Sequence, residues 1–149
     1  MKAGFDAMKY FYERADVFVC NVEEAQRILN TEAGVSELLD KMKALGPKIV
    51  WITDGPAGAY LHDGTTKWFM PIYPDPKPPV ERTGCGDAFA STFVSALALG
   101  KTVEEASLWA PINPMSVVQQ VGAQKGLLTR LELEQLLKNK PAGYELKKI

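Results

Sequence analysis

Residues 17–53 read VFVCNVEEAQRILNTEAGVSELLDKMKALGPKIVWIT, and this stretch decides the fold class. Val17-Phe18-Val19-Cys20 is a short unbroken apolar run. Ile49-Val50-Trp51-Ile52-Thr53 is a second, β-branched and apolar almost throughout. Continuous hydrophobicity of this kind marks strands buried on both faces, as in parallel sheets. Between them Asn21 opens a helix running to about Leu29. A second helix, around 35–45, lines up Val35, Leu38, Leu39, Met42 and Leu45 on one stripe before Gly46-Pro47 stops it. Strand, helical crossover and strand make an α/β protein with a largely parallel sheet.

On either side the punctuation is clear. Residues 5–14 (FDAMKYFYER) predict a short helix with Phe5, Met8 and Phe11 or Tyr12 on one side. Asp54-Gly55-Pro56 breaks the second strand. Gly58–His62 and Lys67–Met70 then predict a small antiparallel hairpin turning at Asp63-Gly64-Thr65. Five prolines at 71, 74, 76, 78 and 79 exclude a helix or a central strand there. A small-residue helix is expected from Ala88 to about Leu99, ended by Gly100. Another starts at Thr102 with Glu105 completing a capping box, and Pro111 and Pro114 must kink or divide it. The last helix is capped by Thr129 with Glu132 in the box and a Leu128–Leu133 staple. Trp51, Trp68 and Trp109 read as packing residues, and His62 as part of a surface hairpin.

At 149 residues the length suits one domain spanning 1–149, and 46% hydrophobic with 23% charged residues is an ordinary globular balance. A net charge of −1 argues against nucleic-acid binding, which calls for a basic face. No apolar run is long enough to cross a bilayer, and residues 1–16 lack the apolar core of a signal peptide. Cys20 and Cys85 form no CxxC pair, so a reducing cytoplasm is the simplest home. His62 is the single histidine, which excludes a two-histidine mechanism. About four strands can be found, too few for the buried sheet they imply. Either the chain self-associates through a strand edge, or it is half of a larger fold.

The segment with the most chemistry is Thr83-Gly84-Cys85-Gly86-Asp87, running into Ala88-Phe89-Ala90. Two glycines one residue apart, just before a helix, let several backbone N–H groups point at one anion, and the helix dipole adds to them. A carboxylate in the first turn can accept the proton of an attacking hydroxyl. The same residues also suit a plain helix start, because Asp is a favoured N-cap. Spacing leaves both readings open.

Glu81-Arg-Thr-Gly-Cys-Gly-Asp-Ala-Phe89 closely resembles the C-terminal signature of the ribokinase-like (PfkB-type) carbohydrate kinases, usually D-T-x-G-A-G-D. The resemblance implies that the Gly84, Cys85 and Gly86 amides form an anion hole for the γ-phosphate of ATP and that Asp87 is the catalytic base. Cys85 replaces the usual Ala. Glu81 stands where many members carry an Asp beside a monovalent-cation site, which leaves potassium dependence open. Ile52-Thr53-Asp54-Gly55-Pro56-Ala57-Gly58-Ala59 resembles the family's T-x-G-x-x-G nucleotide loop, which would bring Thr53, Gly55 and Gly58 to the nucleotide. Asn21-Val22-Glu23-Glu24 resembles its N-x-x-E motif, implying that Asn21 and Glu24 organise Mg²⁺ through water. Asn plus Glu at that spacing is also a helix start. Asn113 falls where the family has a residue beside the adenine, and Gly122 lies in the loop that follows.

The resemblance runs from about Ala15 to Leu137 and covers only the C-terminal half of the family's fold, a partial three-layer α/β arrangement. It implies the nucleotide-binding, catalytic-base half of an ATP-dependent kinase acting on a hydroxyl of a sugar or nucleoside, inactive in isolation. The alternative is a non-catalytic nucleotide-binding or oligomerisation module.

Overall fold

In the computed structural model, residues 8–149 are described. The parallel pairing expected from residues 17–53 is present. Strand β1 (Val17–Asn21) lies beside β2 (Ile49–Thr53), in a register running from Val17 opposite Ile49 to Asn21 opposite Thr53. Parallel neighbours need a long crossover. Helices α1 (Val22–Leu29) and α2 (Val35–Ala44) supply it. Their inward faces meet the sheet in a core of Tyr12, Cys20, Ala25, Leu38, Leu39, Met42, Val50 and Ile52. Leu38, Leu39 and Met42, the centre of the predicted stripe, are fully buried. Each such side chain stabilises the fold by about 1.5–3 kcal/mol relative to exposure. Of the predicted first helix, residues 8–12 are helical, and Phe5 lies outside the described residues.

The sheet is mixed, its parallel pair continued by antiparallel strands. Strand β3 (Ala59–His62) runs antiparallel to β2, because the link between them, residues 54–58, is too short for a crossover. Gly55 and Gly58 make that reversal at φ of 51° and 108°. Strand β4 (Lys67–Met70) follows across the predicted turn. A fifth strand, β5 (Lys147–Lys148), pairs antiparallel with β4 and completes the order β1-β2-β3-β4-β5. Two exposed lysines carry no hydrophobic period, so β5 has no signature in the sequence.

The chain divides into two compact units, one of residues up to Phe69 with Lys147–Ile149, the other Met70–Leu146. The second is helical. Its central helix is α3 (Cys85–Ala98), packed by α4 (Val103–Trp109) and α5 (Ile112–Val117), with α6 (Arg130–Lys138) against α4 and α5. Helix α3 begins three residues before the expected start, because Gly84 rather than a later residue makes the turn into it. The capping boxes at Thr102 and Thr129 both form. Pro111 divides α4 from α5, while Pro114 is accommodated in the first turn of α5, where its missing N–H has no helical partner to lose. The proline-rich segment is irregular, as expected. It is held by Tyr73, whose hydroxyl donates to Leu136 O at 3.1 Å and whose ring meets Tyr144 edge-on at 5.0 Å.

Candidate active site

Asn21 and Thr53 end two parallel strands as register partners, so the carboxyl ends of β1 and β2 open side by side. Ligands of open α/β sheets bind outside such ends. Asn21 is also the N-cap of α1. Its Oδ1 accepts from Glu24 N–H at 2.8 Å, and Glu24 Oε2 accepts from Asn21 N–H at 2.9 Å. The helix-start reading of Asn21 and Glu24 is therefore realised. Glu24 stays exposed, with its other carboxylate oxygen outside the box. Thr53 Oγ1 lies 3.5 Å from Cys20 O, at the limit of a hydrogen bond. Gly55 and Gly58 follow at once in the left-handed turn, so Asn21, Glu24, Thr53 and both glycines share one edge of the sheet.

In the second unit the Thr83–Asp87 segment makes a tight turn into a 14-residue helix. Gly84 is the N-cap at φ 82°, with no side-chain cap bond. A Cβ there would stand 2.5 Å from Ala123 Cβ and 2.7 Å from its Cα, so glycine is required for two separate reasons. At Gly86 a Cβ would meet nothing within 4 Å, so the space beside that residue is open. Asp87 occupies the third helical position and is exposed. It is thus not the N-cap, which removes the plain-cap reading of this carboxylate. The first amides of a helix lack intrahelical partners. Cys85 N–H reaches back only to Arg82 O, at 3.3 Å.

Two contacts unremarked in the sequence hold this turn. Gly122 N–H donates to Glu81 Oε1 at 2.7 Å, and Val80 N–H donates to Val118 O at the same distance. The loop after α5 is thereby fastened to the strap leading into Gly84, which brings Gly122 to the Gly84–Asp87 turn. Asn113 is not offered to a ligand in the same way. It is buried, its Nδ2 donates to Thr92 Oγ1 at 2.8 Å, and its Oδ1 accepts from Leu128 N–H at 2.9 Å. These partners lie 21 and 15 residues away, so no local pattern signals them.

Both cysteine thiols are pushed above their ordinary range. Burial, then the nearby Glu24 charge, pushes the Cys20 thiol up to about 12. Burial also raises Cys85, against a lowering by Arg82. His62 is more enclosed than a surface hairpin residue, at 14% side-chain exposure, and its Nδ1 accepts from Gly64 N–H at 3.1 Å. Trp51 and Trp109 are core, and Trp68 Nε1 donates to Asp63 Oδ2 at 2.7 Å, as packing roles require. Among the described residues no group of three or more His, Cys, Asp or Glu could enclose a metal ion, and no helix is long and apolar enough to cross a membrane.

The model of the pfkB family carbohydrate kinases matches residues 4–130, and the chain belongs to that family. It is 38% identical to the ribokinase of Bacillus subtilis over 125 residues, covering 84% of this chain and 40% of that enzyme. It is 31% identical to the cytidine kinase of Thermococcus kodakarensis, covering 67% of this chain and 36% of that enzyme. The structure of Arabidopsis thaliana ribokinase, solved with ribose and ATP, superposes with a TM-score of 0.78 at 29% identity. That match covers 87% of this chain and 43% of that one. The chain spans about two fifths of the length of the curated relatives it matches.

Proposed function

We propose that this member of the pfkB family is the nucleotide-binding and catalytic-base half, 1–149, of a kinase that transfers the γ-phosphoryl of ATP to a hydroxyl of a sugar or nucleoside. The observation that carries the reading is the Gly84–Asp87 turn. It joins open space beside Gly86, in the first turn of a helix, to an exposed carboxylate one position on, at Asp87.

Phosphoryl transfer needs positioning and charge stabilisation more than covalent help. The amides of Gly84, Cys85 and Gly86 would hold the transferring group, reinforced by the α3 dipole. Asp87 would take the proton from the acceptor hydroxyl as its oxygen bonds to phosphorus and ADP leaves. Thr53, Gly55 and Gly58 would receive the nucleotide at the ends of the parallel strands. Gly122 would shape the loop behind the Gly84–Asp87 turn. Asn113 would act at one remove, fixing α3 and the segment at Leu128 rather than touching the base directly. Mg²⁺, when bound, supplies neutralisation of the phosphate charge; Glu24 and Asn21 would steady it through water. The fragment-like coverage of the relatives supports an inactive isolated chain.

Calorimetric titration with Mg·ADP and Mg·ATP tests the site. Gly86→Val fills the open space without demanding a new backbone geometry, so saturable binding is expected for the natural chain and lost in the variant. Undiminished binding to the variant would remove the phosphate assignment. Phosphorylation of sugars or nucleosides by these 149 residues acting alone would overturn the half-enzyme reading.

A further inference from the structure

Arg82 leads into the Gly84–Asp87 turn and is exposed. Its carbonyl accepts from Cys85 N–H at 3.3 Å. The two residues before it are fastened to the end of α5 and the loop beyond, Val80 through Val118 O and Glu81 through Gly122 N–H. The backbone that carries the Arg82 side chain is therefore fixed, although the segment is irregular. The guanidinium itself holds nothing in the protein. Arg14, Arg27 and Arg130 each pair with a nearby glutamate, Glu13, Glu23 and Glu134. Among the described residues Arg82 makes no ion pair and no side-chain hydrogen bond. Acidic groups are close at hand. Glu81 precedes it but turns its Oε1 to Gly122 N–H, and Asp87 follows in the first turn of α3. The Cys85 thiol feels this neighbourhood: burial raises it most, the Arg82 charge lowers it, and Asp75 and Glu81 raise it. The guanidinium thus acts on the first residue of α3 without being paired there.

We propose that Arg82 is a further phosphate-binding residue of this site, its guanidinium receiving the γ-phosphoryl oxygens of ATP beside the Gly84–Gly86 amides. The proposal rests on the kinase reading. From Val80 to Ala90 Arg82 is the one basic side chain, against the carboxylates of Glu81 and Asp87. A polyanion brought to two carboxylates needs a cation beside it, and an unpaired guanidinium on a fixed turn supplies one without breaking a bond in the protein. Guanidinium stays charged and offers parallel N–H donors to two oxygens of one phosphoryl group. Phosphoryl transfer spreads charge over those oxygens, so the same contact stabilises transfer as well as binding. ADP lacks the group that Arg82 would hold.

Calorimetric titration of the chain with Mg·ATP and Mg·ADP separates the roles. Arg82→Gln should weaken Mg·ATP about tenfold or more, the effect of a lost charge-assisted hydrogen bond, and leave Mg·ADP unchanged. Arg82→Lys keeps the charge but not the paired donors and should fall between. Arg130→Gln, at a paired arginine of α6, should change neither affinity. Thermal unfolding of Arg82→Gln should match the natural chain. No loss, an equal loss for both nucleotides, or a destabilised Arg82→Gln overturns the proposal. Nucleotide binding that Gly86→Val abolishes and Arg82→Gln leaves intact would remove Arg82 and keep the kinase reading. An ATP preference that disappears in Arg82→Gln but survives Gly86→Val would remove the amide hole and leave Arg82 standing. Binding of neither nucleotide by the natural chain would overturn both.

Discussion

Gly122 donates its N–H to Glu81 Oε1 at 2.7 Å, across 41 residues of sequence. With Ala123 packed where a Gly84 side chain would be, this bond makes the loop after α5 the back wall of the Gly84–Asp87 turn. A hydrogen bond to a charged group contributes about 1.5–3 kcal/mol. Glu81→Ala should therefore lower unfolding stability by about that amount, and Glu81→Gln, which keeps an acceptor, by less. Equal losses in urea unfolding would show that the bond does not hold the turn.

The two glycines of the turn should respond in opposite directions. Gly84→Ala forces a Cβ into the left-handed region, at about 1–2 kcal/mol, in addition to the overlap with Ala123. Gly86→Ala meets open space inside a helix, where alanine gains about 0.5–1 kcal/mol over glycine. Thermal unfolding of the two variants separates them; a destabilised Gly86→Ala would contradict the open space.

Asn113→Ala should act on stability before it acts on binding. It leaves Leu128 N–H without its acceptor and Thr92 Oγ1 without its donor. An unsatisfied buried group costs about 1–3 kcal/mol. If nucleotide affinity fell while unfolding stability stayed unchanged, Asn113 would be a direct contact rather than a strut.

The hairpin makes stability depend on pH in two windows. Burial pushes Asp63 up, but the bonds from Trp68 Nε1, Thr65 and Thr66 outweigh it and hold the carboxyl down to about 2. The unfolded chain then binds the proton first, so this stabilisation is complete above about pH 4 and is lost as pH falls towards 2. Burial lowers His62 below its ordinary 6.5, so its contribution is full above that value and declines as pH falls through it. Denaturant midpoints across pH should flatten in the acid window for Asp63→Asn and near neutrality for His62→Gln.

On the proposed reading, with an acceptor-binding partner supplied, Asp87→Asn should cut turnover by about 10²–10⁴-fold with nucleotide affinity nearly unchanged, because it would remove a proton acceptor and nothing that holds phosphate. Rate and affinity measured on the same preparation decide it; an unaltered rate removes Asp87 as the base.

The legible parts of the molecule are those written in local chemistry. Unbroken apolar runs at 17–20 and 49–53, the stripe at 35–45, and the capping boxes at Thr102 and Thr129 all act within a few residues of themselves, and all formed. So did the glycine turn before α3, because a positive φ there has no common alternative to glycine. Antiparallel strands were expected only within the 58–70 hairpin; β3 also runs antiparallel to β2, because the five residues linking them leave no room for a crossover. The Glu81–Gly122 tether, the Asn113–Thr92 strut and strand β5 could not be read in advance. Each depends on partners far along the chain, and folding rather than neighbouring residues selects which of many such polar groups meet. Residue types and spacing thus determine which chemistry the chain can offer. Long-range packing determines which groups hold that chemistry in place.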